Sequence, residues 1–135
     1  MHLIVCLDDR DGLSFAGRRQ SMDRLLRSRM IERVGNAKLR MNGYSSRQFE
    51  NLPTNVLVDE DFLAKAGEED YCFVENVDIA DYTDKIRTVI IYRWGRIYPS
   101  DVKFPNQILS PEKKISATEF AGYSHDKITE EVYYL

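Results

Sequence analysis

The run TVIIY at residues 88–92 constrains this chain more than any other feature. It holds β-branched and aromatic residues with no Gly, Pro or carboxylate, so it is built to be covered on both faces, as in the middle of a layered α/β sheet. Residues 78–85 before it have turn and helix character. Gly95 and Pro99-Ser100 break the pattern after it, and Lys103-Phe104-Pro105 leads the chain away from the sheet.

The rest of the chain repeats the same alternation. Residues 2–7 form an apolar strand that stops at Asp8-Asp9-Arg10-Asp11-Gly12, and strand ends of this kind border the ligand crevice of an open α/β sheet. Residues 12–20, with two glycines and no clear period, read as a loop of functional length. Ser21 is placed to cap a helix with Asp23 in its first turn; Met22, Leu25, Leu26, Met30 and Val34 fall on one stripe, and Gly35-Asn36 ends it. Residues 37–41 form a second strand, with a short helix capped at Ser45 or Ser46 after it and closed by Leu52-Pro53. Residues 55–58 read as a short buried strand, 62–66 as one helical turn ended by Gly67, and 71–74 as another buried strand. Residues 115–123 and 128–134 form an antiparallel hairpin around the polar turn 124–127. The order predicts one α/β domain over 1–135: a three-layer, mostly parallel twisted sheet with an antiparallel C-terminal hairpin.

Charge narrows the function. The formal net charge is -3, which gives no bulk attraction to nucleic acid or anionic lipid. Arg18, Arg19, Arg24, Arg27 and Arg29 nevertheless cluster against the single acid Asp23, while nine carboxylates crowd residues 59–81 against Lys65. The first apolar run lacks a basic n-region and is stopped by two Asp, so neither a signal peptide nor a membrane span is expected. Cys6 and Cys72 lie in apolar runs, as buried thiols of a reducing cytoplasm do. His2 and His125 have no companions at ligand spacing, so neither a metal site nor a His-based triad is expected.

Residues 89–105, VIIYRWGRIYPSDVKFP, resemble without a gap the strand, loop and Asp-x-x-Phe-Pro ending near the C-terminus of dihydrofolate reductases. LIVCLDDRDGLSFAGRRQS is similar to that family's first strand and mobile loop, and KLRMNGYSSRQFENLP to its Met-Gly-Arg-x-Thr stretch and following Leu-Pro. YCFVENVDI stands where the family has a strand ending in Gly-Gly, and the terminal hairpin resembles the last two strands. The resemblance implies the dihydrofolate reductase-like fold.

The departures fall where the family does its chemistry. Leu26 takes the place of the pterin-binding carboxylate, with Asp23 about one turn earlier, and a Leu can neither bond a pterin nor help protonate it. Gln20-Ser21 replaces Pro-Trp, Asn42-Gly43 replaces Gly-Arg, and Glu75-Asn76 replaces the Gly-Gly pair that admits a pyrophosphate. Ser45 alone remains at the hydroxyl position, so Ser45 and Asn76 are vestiges of a nucleotide site, and Asp59-Glu60-Asp61 stands where a 2′-phosphate needs a cation. The expectation is a domain without reductase activity, with no catalytic residue assigned and no cofactor. Its crevice of Cys6, Leu7, Asp23, Leu26, Phe49 and Tyr92, together with Val5 and Leu25, would serve a small ligand or a protein partner. Two alternatives stand beside it: an oxidoreductase holding nicotinamide or flavin differently, and a surface for nucleic acid or an acidic partner, including a second copy, through Arg18, Arg19, Arg24 and Arg27.

Overall fold

In the computed structural model, which describes residues 1–135, the run at 88–92 lies inside a seven-stranded sheet. In chain order the elements are β1 (His2–Leu7), β2 (Gly12–Phe15), β3 (Arg18–Arg19), α1 (Arg24–Val34), β4 (Leu39–Met41), α2 (Gly43–Ser46), β5 (Val56–Val58), α3 (Phe62–Lys65) and β6 (Tyr71–Phe73). Then come β7 (Thr88–Arg93), β8 (Val102–Lys103), β9 (Lys114–Phe120) and β10 (Ile128–Tyr134), with short 3-10 segments between some of them. The large sheet runs β5-β4-β6-β1-β7-β10-β9. Its first five strands are parallel, and β10 and β9 are added antiparallel. No helix is long and apolar enough to cross a membrane.

Strand alternation divides the core between two faces. Leu3, Val5 and Leu7 join Cys72, Val89 and Ile91 on one face, under Phe62 and Leu63 of α3 and the loop residues Ile79, Ile86 and Phe104. Ile4 and Cys6 join Phe73, Ile90 and Tyr92 on the other, under Leu26, Met30 and Val34 of α1. Cys6 and Cys72 therefore occupy neighbouring strands but opposite faces, and both are free thiols. Burial raises both; Cys72 is pushed up to about 12.

Four local expectations are corrected. Residues 12–20 are not a plain loop: β2 and β3 form a hairpin joined to β8 in a three-stranded sheet. Its two-residue turn places Ala16 and Gly17 at φ 51 and 74, the left-handed pair of a type I′ turn that suits the twist of a hairpin. The cap of α1 is Asp23, whose extended backbone lets its side chain accept from the N–H groups of Leu25 and Leu26; Ser21 lies outside the helix. α2 is capped by Asn42, not by Ser45 or Ser46. β5 is an edge strand whose Leu57 and Val58 are exposed, because nothing packs beyond it.

The apolar stripe of α1 is narrower than its sequence implies. Only Leu26, Met30 and Val34 are buried, a spacing of four that keeps one line against the sheet, whereas Met22 precedes the helix and Leu25 turns outward. Replacing Met30 with Ala should cost about 2–5 kcal/mol by denaturant unfolding, and Leu25→Ala under about 1 kcal/mol. Equal losses would mean that α1 is seated on a different face.

Candidate functional site

The C-terminal ends of β1 and β7, the β2–β3 hairpin and the start of α1 converge on one region, and the chain has filled it with its own side chains. Arg19, carried in by β3, lays its guanidinium against Glu75 through two bonds, Nε to Oε2 at 2.9 Å and Nη2 to Oε1 at 3.2 Å. The same guanidinium donates to the Tyr44 carbonyl and sits 4.2 Å over the Tyr44 ring. Gln48 donates to Glu75 as well. A planar fork on a carboxylate is the arrangement Arg serves best, and here both partners are largely removed from water.

Asp8 anchors the other side. Its carboxylate accepts from the N–H groups of Arg10, Gly12 and Tyr98 and from the Gln20 amide. Burial opposes its ionisation, but these donors outweigh it and hold the group below its ordinary range. A side chain on Gly12 would meet the side chains of Asp8, Gln20 and Ser100 at under 3 Å, so the hydrogen-bonded Asp8–Gln20 pair leaves no room for a Cβ there. Between the two anchors, Cys6, Arg19, Gln20, Ser21, Glu75 and Trp94 enclose a residual cavity of about 10 Å³. That is room for one water at most.

Other places suited to an anion are also taken. Glu60 accepts from the Gly43 N–H at the start of α2, and Asp59 pairs with Lys65. Asn76 joins Asn42 to the Gly17 carbonyl. Ser45 is buried, and its hydroxyl has no partner.

The candidate crevice residues are not brought together as a set. Leu7 and Val5 face the α3 side of the sheet, away from Cys6. Leu26 and Tyr92 are core, and Tyr92 packs edge-on to Phe120. Burial raises the Tyr92 phenol, and the neighbouring Glu130 adds to the rise. Leu25 is exposed. Phe49 belongs to a separate open groove of about 340 Å³ between α1 and residues 49–53, which Arg24, Arg27, Ser28, Ile31 and Pro53 also line. The arginines likewise divide. Arg19 is committed to Glu75, Arg24 lies 4.2 Å over Tyr123, and Arg29 joins Arg33 on Glu130. Arg18 is exposed and makes no ion pair. A wider concavity of about 620 Å³, walled by Glu68, Asp84, Lys85 and Arg87, sits against the start of β1 at the far end of the sheet.

His125, which has no companion at ligand spacing in the sequence, finds side-chain partners from distant parts of the chain. His125, from the β9–β10 loop, is buried and stacked on Trp94 at 4.6 Å between ring centroids. Its Nδ1 is 2.9 Å from Asp23 Oδ2 and its Nε2 is 2.9 Å from Ser21 Oγ. Asp23 also accepts from the N–H groups of Leu25, Leu26, Tyr123 and Ser124 and from the Ser124 hydroxyl. Burial opposes ionisation of Asp23, but the bonds from His125, Tyr123, Ser124 and Leu26 prevail and hold it well below the usual carboxylate range. Gly122 allows the loop this close: a Cβ there would stand 2.6 Å from Asp23 Oδ2.

This sheet order, with its hairpin beside the first strand and its antiparallel final pair, is the dihydrofolate reductase-like fold. A solved dihydrofolate reductase from Enterococcus faecalis, complexed with NADP(H) and RAB-propyl, matches with a TM-score of 0.68 over 98% of this chain and 94% of that one, at 11% sequence identity. No protein-family model matches the sequence. No curated protein matches it either.

Two measurements check the energetics of this region. Asp23 has its pKa lowered by folding, so its contribution is present above the unfolded value near 4 and is lost as pH falls below it. The melting-temperature gap between wild type and Asp23→Asn, which keeps a capping oxygen, should be widest at neutral pH and close in acid; a pH-independent gap would contradict the burial of this charge. Arg19→Gln should strand Glu75 and cost about 3–5 kcal/mol, more than Arg19→Gln with Glu75→Gln together.

Proposed function

We propose that this dihydrofolate reductase-fold domain does not carry out the reductase reaction and instead binds a small anionic ligand with an apolar body, in the groove between α1 and residues 49–53. The observation that carries the reading is Arg27. Its Nη1 is shielded from water and has no acceptor in the protein, while Ile31, Phe49 and Pro53 wall the same groove. A cationic donor out of water without a partner is costly, and a ligand carboxylate beside an aromatic wall would complete it. Glu50, on the opposite rim, favours a singly charged ligand over a dianion.

Loss of the reductase reaction is supported by the closed crevice. Pockets for ligands of cofactor size run from about 300 to 1,000 Å³, against the cavity of about 10 Å³ left between Cys6, Ser21 and Trp94. The Enterococcus faecalis enzyme is complexed with NADP(H); here Glu75 and Glu60 occupy positions where phosphates would need donors. The same closure disfavours an altered nicotinamide or flavin enzyme. Commitment of Arg19, Arg29 and Arg33 to acidic partners within the chain disfavours a nucleic-acid surface. The two buried free thiols fit a reducing compartment.

Calorimetry with millimolar NADPH or dihydrofolate should give no saturable heat, and 2-naphthoate should raise the melting temperature in wild type but not in Arg27→Gln. Reductase turnover on the order of 10 per second would overturn the first part. An equal naphthoate response in both proteins would overturn the second.

A further inference from the structure

Ser21, His125 and Asp23 stand in one line of hydrogen bonds, and proton bookkeeping fixes its direction. Asp23 is ionised and can only accept, so the imidazole donates to it from Nδ1. The lone pair of neutral His125 is then on Nε2, where the Ser21 hydroxyl donates to it across 2.9 Å. Tyr98 Oη is 3.3 Å from the same nitrogen, a weaker competitor for one lone pair. The imidazole is held in plane by the Asp23 bond and on its face by Trp94.

Hydroxyl, imidazole and buried carboxylate in this order are the arrangement that activates serine nucleophiles on unrelated folds and in different chain orders. Ser21 differs from its two partners in the way such a site requires. Asp23 and His125 side chains are 0% and 4% exposed, whereas Ser21 is half-buried. The N–H groups of Ser21 and Met22 have no acceptor in the protein. Two adjacent free N–H groups at the nucleophile can receive a developing oxyanion.

A second concavity begins beside this line. Phe15, Arg18, Gln20, Tyr98 and Pro99 border an open groove of about 530 Å³, and Tyr98 reaches from it to His125. Phe15 and Pro99 supply apolar surface and Arg18 an uncommitted cation. We propose that Ser21 is an acyl-accepting nucleophile, with His125 its base and Asp23 the positioning carboxylate, acting on small carboxylic esters or thioesters whose acyl part ends in a carboxylate.

The step balances without any cofactor. Ser21 Oγ forms a bond to the acyl carbon while its proton passes to His125 Nε2 and the carbonyl pair moves onto oxygen. Collapse breaks the bond to the alkoxide or thiolate, which leaves with the proton from Nε2. Water then adds to the acyl-serine and gives a proton to Nε2; the second collapse returns that proton to Ser21 Oγ and releases the acid.

The test treats the full chain with a fluorophosphonate and with mono-4-nitrophenyl succinate, reading intact mass, peptide mapping and nitrophenolate release. The expected result is an adduct on Ser21 that is absent from Ser21→Ala, a variant that keeps the wild-type melting temperature. His125→Gln should slow both reactions at least about 100-fold. Because that variant disturbs a buried contact, the wild-type pH profile is a second measure. The labelling rate should rise with the same midpoint as the fluorescence change of Trp94, the only tryptophan of the chain, which His125 covers. Arg18→Gln should slow the succinate ester and leave fluorophosphonate labelling unchanged; equal ester rates would overturn the anionic substrate. No Ser21 adduct in wild type, Ser21→Ala reacting at the wild-type rate, or a labelling midpoint unrelated to that of Trp94 would overturn the nucleophile.

Discussion

A carboxylate taken out of water needs donors on every side, and Asp23 draws its own from two ends of the chain. The first turn of α1 supplies two N–H groups, and the β9–β10 loop supplies two more, a hydroxyl and an imidazole. Neither segment could bury this charge alone. The helix is therefore held to the terminal hairpin by an electrostatic requirement as well as by the apolar contact of Leu26 and Met30 with Ile90, Ile128 and Val132. That requirement also fixes the orientation of His125, and so places Nε2 against Ser21.

The same economy runs through the rest of the region. Where an open α/β sheet offers exposed N–H groups and cations at its strand ends, this chain answers them with Asp8, Glu60 and Glu75. The β2–β3 hairpin is pinned at both ends, by Asp8 at its base and by Arg19 on Glu75 beside its turn. The sheet order is kept, and at its strand ends these carboxylates accept from donors of the chain itself, only Glu75 doing so through a salt bridge, with Arg19.

Much of the frame was legible because it rests on local composition. The β-branched runs at 3–7 and 88–92 could be nothing but covered strands, and the turn at 124–127 lies between two strand-like segments, so parallel order and a final hairpin follow. The cap of α1 was misplaced because Ser21 and Asp23 are both good caps, and only the backbone angles of Asp23 decide between them. β2 and β3 were hidden because two-residue ladders around a glycine turn carry no period. The constellation itself was illegible. His125 lies 102 residues from Asp23, and spacing along the chain says nothing about groups brought together by strand order. The one available signal was chemical: Gly-Tyr-Ser-His packs a flexible residue, free N–H groups and an imidazole into a turn that needs none of them.

The position of β1 has a consequence for how the molecule comes to exist. β1 lies between β6 and β7, so this apolar strand has no neighbour until residues 71–73 and 88–93 have followed it. Until then Leu3, Ile4, Val5 and Leu7 are a sticky nascent segment, and the pairings that bury them span most of the chain, which makes folding slow and exposes intermediates to aggregation. The loop bearing His125 comes later still, just before the last strand. The alignment of Ser21, His125 and Asp23 thus forms only after the parallel strands have been made, and a chain truncated before residue 121 would have its central parallel strands but neither the imidazole nor the hairpin that holds it.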